Sequence, residues 1–161
     1  MKGVRRRIVR EKVVQALYAH EISGDPVDHV IECNLTTLQK NREAFEFASR
    51  LVIKTVENEV PIDKIIKEKV ENWDFSRIAI LDRVILRMAI CELLYFKEIP
   101  PKVSMDEAIE LAKLFSTEKS GQFVNGVLDA VFDALRDSGN LSKEGRGLWS
   151  GGEAKRRNVP T

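Results

Sequence analysis

An all-α protein of about seven helices is what the sequence predicts, and three observations carry the prediction. Apolar residues recur at steps of three and four along most of the chain, the mark of amphipathic helices. No alternation of apolar and polar residues runs long enough for a strand. The segment from Arg77 to Phe96 is apolar around nearly its whole circumference, as expected of a helix at the centre of a bundle.

The first predicted helix runs from Val4 to His20. Its core face passes through Val9, Val13, Ala16, Leu17 and His20, and Asp25-Pro26 ends that unit because proline cannot donate the next helix hydrogen bond. Val27 to Leu38 is a weaker helical stretch. Asn41 to Glu57 is stronger, with Ala44, Phe47, Ala48, Leu51 and Val52 as its stripe. Pro61 suits the first turn of a short helix through Val70. Ser76 is the expected N-cap of the central helix. Ile99-Pro100-Pro101 forces an extended connection, and Ser104 with Glu107 reads as a capping box opening the next helix, to Phe115. Ser120 or Gly121 opens the last helix, striped by Val124, Val127, Leu128, Val131 and Leu135. The folded region is expected over 1–138, followed by a flexible basic tail over 139–161 in which Trp149 is either exposed or a local anchor.

Charge is distributed unevenly. The formal net charge is only +1, yet Lys2, Arg5, Arg6, Arg7, Arg10 and Lys12 face the single acid Glu11 within the first twenty residues. The tail is also basic, so the middle is acidic. A basic end on an acidic body suggests a polyanion partner, with a merely solvated terminus as the plain alternative. The arginines also sit where a helix dipole disfavours positive charge, which argues that they are there for function. No apolar run approaches the roughly 20 residues of a membrane span, and no signal-peptide core follows the basic start, so a cytoplasmic protein is expected.

Other candidates carry two readings each. Arg7, Glu11, Val14 and Tyr18 form a second stripe on the first helix. Val14 reads as packing, while Tyr18 is either packed or exposed. Phe123, at the margin of the last helix's stripe, is either a core-rim residue or a ring that stacks on an unpaired base. Asn125-Gly126 beside it are weak helix formers, and the glycine permits close packing or close approach of a ligand backbone. Asp82, Arg83, Arg87 and Glu92 must pair or reach a surface. Ion pairs between helices suit Glu92, and Asp82 and Arg83 lie nearer the helix start, within reach of a partner. No phosphate loop or hydrolase motif appears, so no enzyme and no cofactor are expected. His20 and His29 are read as sharing no metal-ligand spacing with Cys33 or Cys91, so no metal site is expected.

Three spaced blocks then resemble the NusB family. They are Arg5-Arg6-Arg7 with Arg10-Glu11 and Gln15-Ala16-Leu17-Tyr18; Leu86-Arg87-Met88-Ala89 with Glu92-Leu93, Ile99-Pro100 and Val103; and Asp106 to Lys113 with Phe123-Val124-Asn125-Gly126-Val127-Leu128-Asp129. The resemblance spans residues 4–135. It implies a pair of three-helix bundles packed across one another. It also implies a transcription antitermination factor that binds the single-stranded boxA element of ribosomal RNA operon leaders together with ribosomal protein NusE, within an antitermination complex on RNA polymerase. Carried over residue by residue, it implies RNA contacts from Arg5, Arg6, Arg7, Arg10 and Phe123, a NusE contact from Tyr18, and a match of Asp82 to the family's acidic residue near the start of the central helix. Lys2 joins the RNA candidates by its charge, and Arg83 joins the protein-partner candidates with Asp82 by its place near that helix start. Lys119-Ser120-Gly121 departs from the family pattern, leaving open how that loop meets RNA. Family members occur as monomers and as homodimers. Two rivals are an RNA methyltransferase fusion, not expected because the sequence stops where a methyltransferase domain would begin and carries no dinucleotide-type glycine loop, and a helical adaptor that binds protein without specific RNA recognition.

Overall fold

A computed structural model describes residues 5–70 and 75–148. Seven helices form there: α1 Arg6–Ser23, α2 Val27–Asn34, α3 Arg42–Glu57, α4 Glu59–Lys69, α5 Ile80–Tyr95, α6 Pro101–Phe115 and α7 Glu118–Asp137. No strand occurs among the described residues. The first three helices pack on one another, and α5, α6 and α7 do the same. These two three-helix bundles meet where α1 and α3 lie against α5, and α4 bridges α5 and α7. The apolar circumference of α5 is thereby explained: Val84 to Leu93 is buried without interruption.

Local chemistry sets several boundaries. Gly24 ends α1 in the left-handed region (φ 71°), where a residue with a side chain is strained, and its N–H closes on the His20 carbonyl. Asn41 caps α3 by accepting from the Ala44 N–H at 3.1 Å, and Thr117 caps α7 by accepting from Ser120 N–H at 3.1 Å.

Three expectations are corrected. Ser76 lies in a 3-10 turn, Phe75–Arg77, and α5 begins only at Ile80 behind Ala79. Ser104 is not an N-cap: Pro101 already occupies the first turn of α6, where its missing N–H costs nothing, and Ser104 instead donates to the buried Glu92 carboxylate at 3.0 Å. The packing does not stop at residue 138 either. Lys143 Nζ donates to the carbonyls of Glu92 (3.0 Å) and Phe96 (2.9 Å), and the Glu144 N–H donates to the Lys97 carbonyl (2.9 Å), so residues 141–148 lie strapped across the end of α5. Trp149 and the rest of the tail lie outside the described residues, as does Lys2.

Candidate nucleic-acid interface

The arginine cluster divides into residues with different jobs. Arg5, Arg6 and Arg7 are exposed at the start of α1, whose first turn holds no acid. Arg6 lies with its guanidinium 4.2 Å from the centre of the Phe47 ring, an orientation that holds the side chain while leaving its edge open. Partial burial, and then the neighbouring Arg10 charge, pull Arg6 below the ordinary arginine range. Arg7 makes a two-pronged pair with Glu107 of α6, at 2.8 and 3.1 Å.

Arg10 is a correction. It is 1% exposed, and its guanidinium forks onto Glu92, which is fully buried, at 2.9 and 2.6 Å. Burial opposes its charge, but the Glu92 carboxylate outweighs that effect, so Arg10 is held above its ordinary range. An arginine in that position cannot reach a phosphate. It ties α1 to α5, as the ion-pair reading of Glu92 anticipates. Arg87 is also structural, bonding Asp63 at 2.7 Å, Glu21 at 3.1 Å and Glu59 at 3.2 Å, and so joins α5 to α1 and α4.

Beside Arg6 opens a groove of about 1300 Å³. Ile99, Pro100 and Val103 form an apolar side of it, and Leu148 of the strap faces it too. The sequence reading missed this wall entirely.

Phe123 is half-buried on α7 and packs against the core from its edge, intermediate between its two readings. Asn125 and Gly126 are exposed, and a Cβ built on Gly126 meets nothing within 4 Å. Close helix packing therefore does not explain that glycine. In the departing loop, Lys119 is exposed, Ser120 is buried and donates to Asp82 at 3.2 Å, and Gly121 sits under the Lys113 side chain, whose Cγ would be 2.7 Å from an added Cβ.

The expected protein-partner residues separate. Tyr18 is 39% exposed, while Val14 is fully buried as packing. Arg83 is half-buried with its guanidinium 3.6 Å from Glu21, one turn beyond Tyr18, so these two share a side of the molecule. Asp82 turns towards α7 and is 7% exposed, with Oδ1 lacking a hydrogen-bond partner. Burial pushes its carboxyl above the ordinary range, only partly offset by Ser120. An Asp82 so placed offers little to a partner in this conformation.

Among the described residues, nothing in the geometry resembles a catalytic centre. Burial pushes the Cys91 thiol up to about 12, so it stays protonated. His20 Nδ1 donates to the Asp25 carbonyl at 2.8 Å, a capping role. The reading that no histidine has ligand spacing to a cysteine is corrected: His29 and Cys33 lie one turn apart on α2, with Nε2 and Sγ 3.6 Å apart. Two ligands do not make a metal centre, and no group of three potential ligands occurs among the described residues.

A family profile described as the NusB family matches residues 7–133. A transcription antitermination protein NusB from Salinibacter ruber is 45% identical over 144 residues, covering 89% of this chain and 90% of that one. The chain belongs to the NusB family. This family consists of RNA-binding transcription antitermination factors and is not enzymatic. NusB of T. maritima superposes with a TM-score of 0.75 at 39% identity, covering 81% of this chain and 92% of that one. A solved complex of NusB and NusE with dsRNA contains a NusB-like chain that superposes with a TM-score of 0.70 at 28% identity, covering 80% of this chain and 96% of that one. The strap at 141–148 lies beyond the span that the NusB family profile matches. No helix among the described residues is long and apolar enough to cross a membrane.

Proposed function

We propose that this NusB-family chain works in the cytoplasm as an antitermination factor. It binds the single-stranded boxA element of ribosomal RNA leader transcripts together with NusE and joins an antitermination complex on RNA polymerase. The observation that carries this reading is the exposed Arg5-Arg6-Arg7 face at the start of α1, anchored from below by Arg10, with Arg6 lining a groove large enough for a polynucleotide. Arginine donates to phosphate in a planar fork and stacks on bases. Local stability would not select positive charge at a helix N-terminus, so the cluster's placement fits a polyanion. Phe123 supplies a half-buried ring at the edge of the second bundle, on α7, suited to stacking on an unpaired base. Tyr18 and Arg83, which share a side, are the surface assigned to NusE.

A salt series tests the reading. Arg5 and Arg6, neutralising one phosphate each while Arg7 stays on Glu107, should give a slope of log affinity against log salt of about −1.4 for a single strand. The boxA-like single strand should bind more tightly than a matched duplex, and NusE and RNA should strengthen each other's binding by one common factor. Arg5→Ala with Arg6→Ala should flatten the slope while costing at most about 1 kcal/mol of stability, the size of an exposed cation–ring contact such as that of Arg6 on Phe47. Phe123→Ala should lose on the order of 1–3 kcal/mol of RNA affinity at every salt concentration. A flat slope in the parent protein, with NusE still bound, would leave the protein-only adaptor as the correct reading.

A further inference from the structure

The strap is held at both ends of a short stretch. At its start, Lys143 places a positive charge at the C-terminus of α5, where the helix dipole and its terminal carbonyls favour a cation. Burial against α5 pulls the Lys143 ammonium down to about 8, with Glu92 and Glu98 opposing that shift. Near its end, Gly147 is buried so closely against the connection between α5 and α6 that a Cβ there would stand 1.9 Å from the Lys97 carbonyl oxygen. No side chain fits at that point without displacing the strap. The next residue, Leu148, is 66% exposed, an aliphatic side chain held out into the groove beside Arg6.

We propose that this strap is a wall of the RNA-binding groove: a base of single-stranded RNA seats between Leu148 and the Pro100–Val103 turn of α6, with its phosphate on Arg6. The inference rests on the RNA reading above and adds a binding element to it. Size favours a strand over a small molecule. At about 1300 Å³ the groove exceeds the roughly 300–1,000 Å³ that encloses a small ligand, and it is open to solvent rather than enclosed. Chemistry favours RNA over an apolar protein segment. An unpaired base offers flat apolar faces on a charged backbone, and the groove sets aliphatic side chains next to an arginine. Its carboxylates do not oppose this. Glu98 pairs with Arg50 at 2.8 Å, Glu107 with Arg7 at 2.8 Å and Glu144 with Lys97 at 3.7 Å.

Fluorescence anisotropy with a labelled boxA-like single strand tests the proposal in the full chain. Leu148→Asp puts a carboxylate where the base would lie, and Gly147→Val displaces the strap with no change in charge. Each should weaken binding by about fivefold or more, the low end of the loss for one base contact. The salt slope of Gly147→Val should match the parent's, because no phosphate contact is removed. Val60→Asp, at a position 82% exposed on α4, controls for added charge and should bind within about twofold of the parent. Parent-like affinity in either strap variant overturns the proposal. Self-association that Leu148→Asp abolishes, with RNA affinity intact, assigns the groove to a second copy of the chain and overturns it too. No RNA binding by the parent refutes the function reading itself, a result distinct from binding that the strap variants share.

Discussion

Removing either partner of the Arg10–Glu92 pair should be among the most destabilising single changes in this protein. Both side chains are out of solvent, at 1% and 0% exposure, and the pair joins α1 to α5 by two hydrogen bonds, with a third from Ser104 to Glu92. Screening by water is therefore negligible, and the cost of a lone buried charge applies in full. Arg10→Met leaves a carboxylate in the core with only Ser104 to bond it. Glu92→Gln leaves a guanidinium facing a neutral amide, and one of its nitrogens, Nη1, already has no partner. Each should cost about 3–5 kcal/mol. At roughly 2–4 °C per kcal/mol for a chain of this size, that is a fall in Tm of at least about 6 °C. The double variant Arg10→Met with Glu92→Leu restores an apolar interior and should recover most of the loss, since buried pairs are often worth no more than well-packed apolar residues. The assay is urea unfolding of the parent, the single variants and the double variant as a double-mutant cycle, with Glu92→Leu as the second single. Single effects below about 1 kcal/mol, or single effects that simply add in the double variant, would refute the argument. Below its melting range Arg10→Met should also keep the parent's salt slope for RNA binding, because Arg10 is anchored away from the surface and neutralises no phosphate.

Two further changes concern perturbed groups. Burial raises the folded-state pKa of Asp82 above the ordinary 3.8, so the folded protein binds more protons than the unfolded chain between those values, and the charged form is a liability at neutral pH. Asp82→Asn should therefore raise the urea midpoint at pH 7, and the gain should shrink as pH falls through the folded pKa towards 3.8; an equal or lower midpoint at pH 7 would show the carboxylate to be favourably held. Lys143 should titrate in a carbon-detected NMR experiment near 8 in the parent and near its ordinary 10.5 in Gly147→Val. The docked strap binds fewer protons than the free one in that window, so docking should strengthen as pH rises from about 8 to 10.5, and a parent midpoint at 10.5 would mean that the ammonium is not buried.

The elements were legible because their signal is local. The stripes through Val9, Val13 and Ala16, through Ala44, Phe47 and Leu51, and through Val124, Leu128 and Val131 are all buried in the structure. Boundaries failed where two local rules compete. A serine three residues before a glutamate is a capping box only if nothing starts the helix earlier, and Pro101 does. The division within the arginines was partly legible: Arg10 lies on one face with Val13, Val14 and Leu17, at steps of three, four and seven, whereas the sequence reading grouped it with its neighbours in the chain. Its partner was visible as well, since Glu92 is an acid flanked by an uncharged run on either side, Met88 to Cys91 and Leu93 to Phe96. The His29–Cys33 spacing was equally available and overlooked. The strap was not legible. Lys143 bonds backbone carbonyls some fifty residues away, and Gly147 is required by a contact with the backbone of Lys97. Backbone carbonyls have no residue identity, so no pattern of side chains announces them, and a Gly- and Lys-containing segment after the last apolar stripe reads as a tail.

The buried arginine also resolves the conflict between a cationic cluster and the dipole of the helix that carries it. A charge that merely decorated the first turn of α1 would weaken that turn and let it fray. Here Arg10 is drawn inward by Glu92, Arg7 is fixed to α6 by Glu107, and Arg6 lies on Phe47. The first turn is thus fastened to α5, α6 and α3 by the same residue type that would otherwise loosen it. What reaches solvent is Arg5 and the open edges of Arg6 and Arg7, carried on a backbone with few alternative positions. Arginines presented in this way lose less conformational freedom on meeting a phosphate than arginines on a free terminus, so more of each contact appears as affinity. Destabilising the Arg10–Glu92 pair only enough to loosen α1 should then weaken RNA binding through ordering cost, while leaving the number of phosphates neutralised, and hence the salt slope, unchanged.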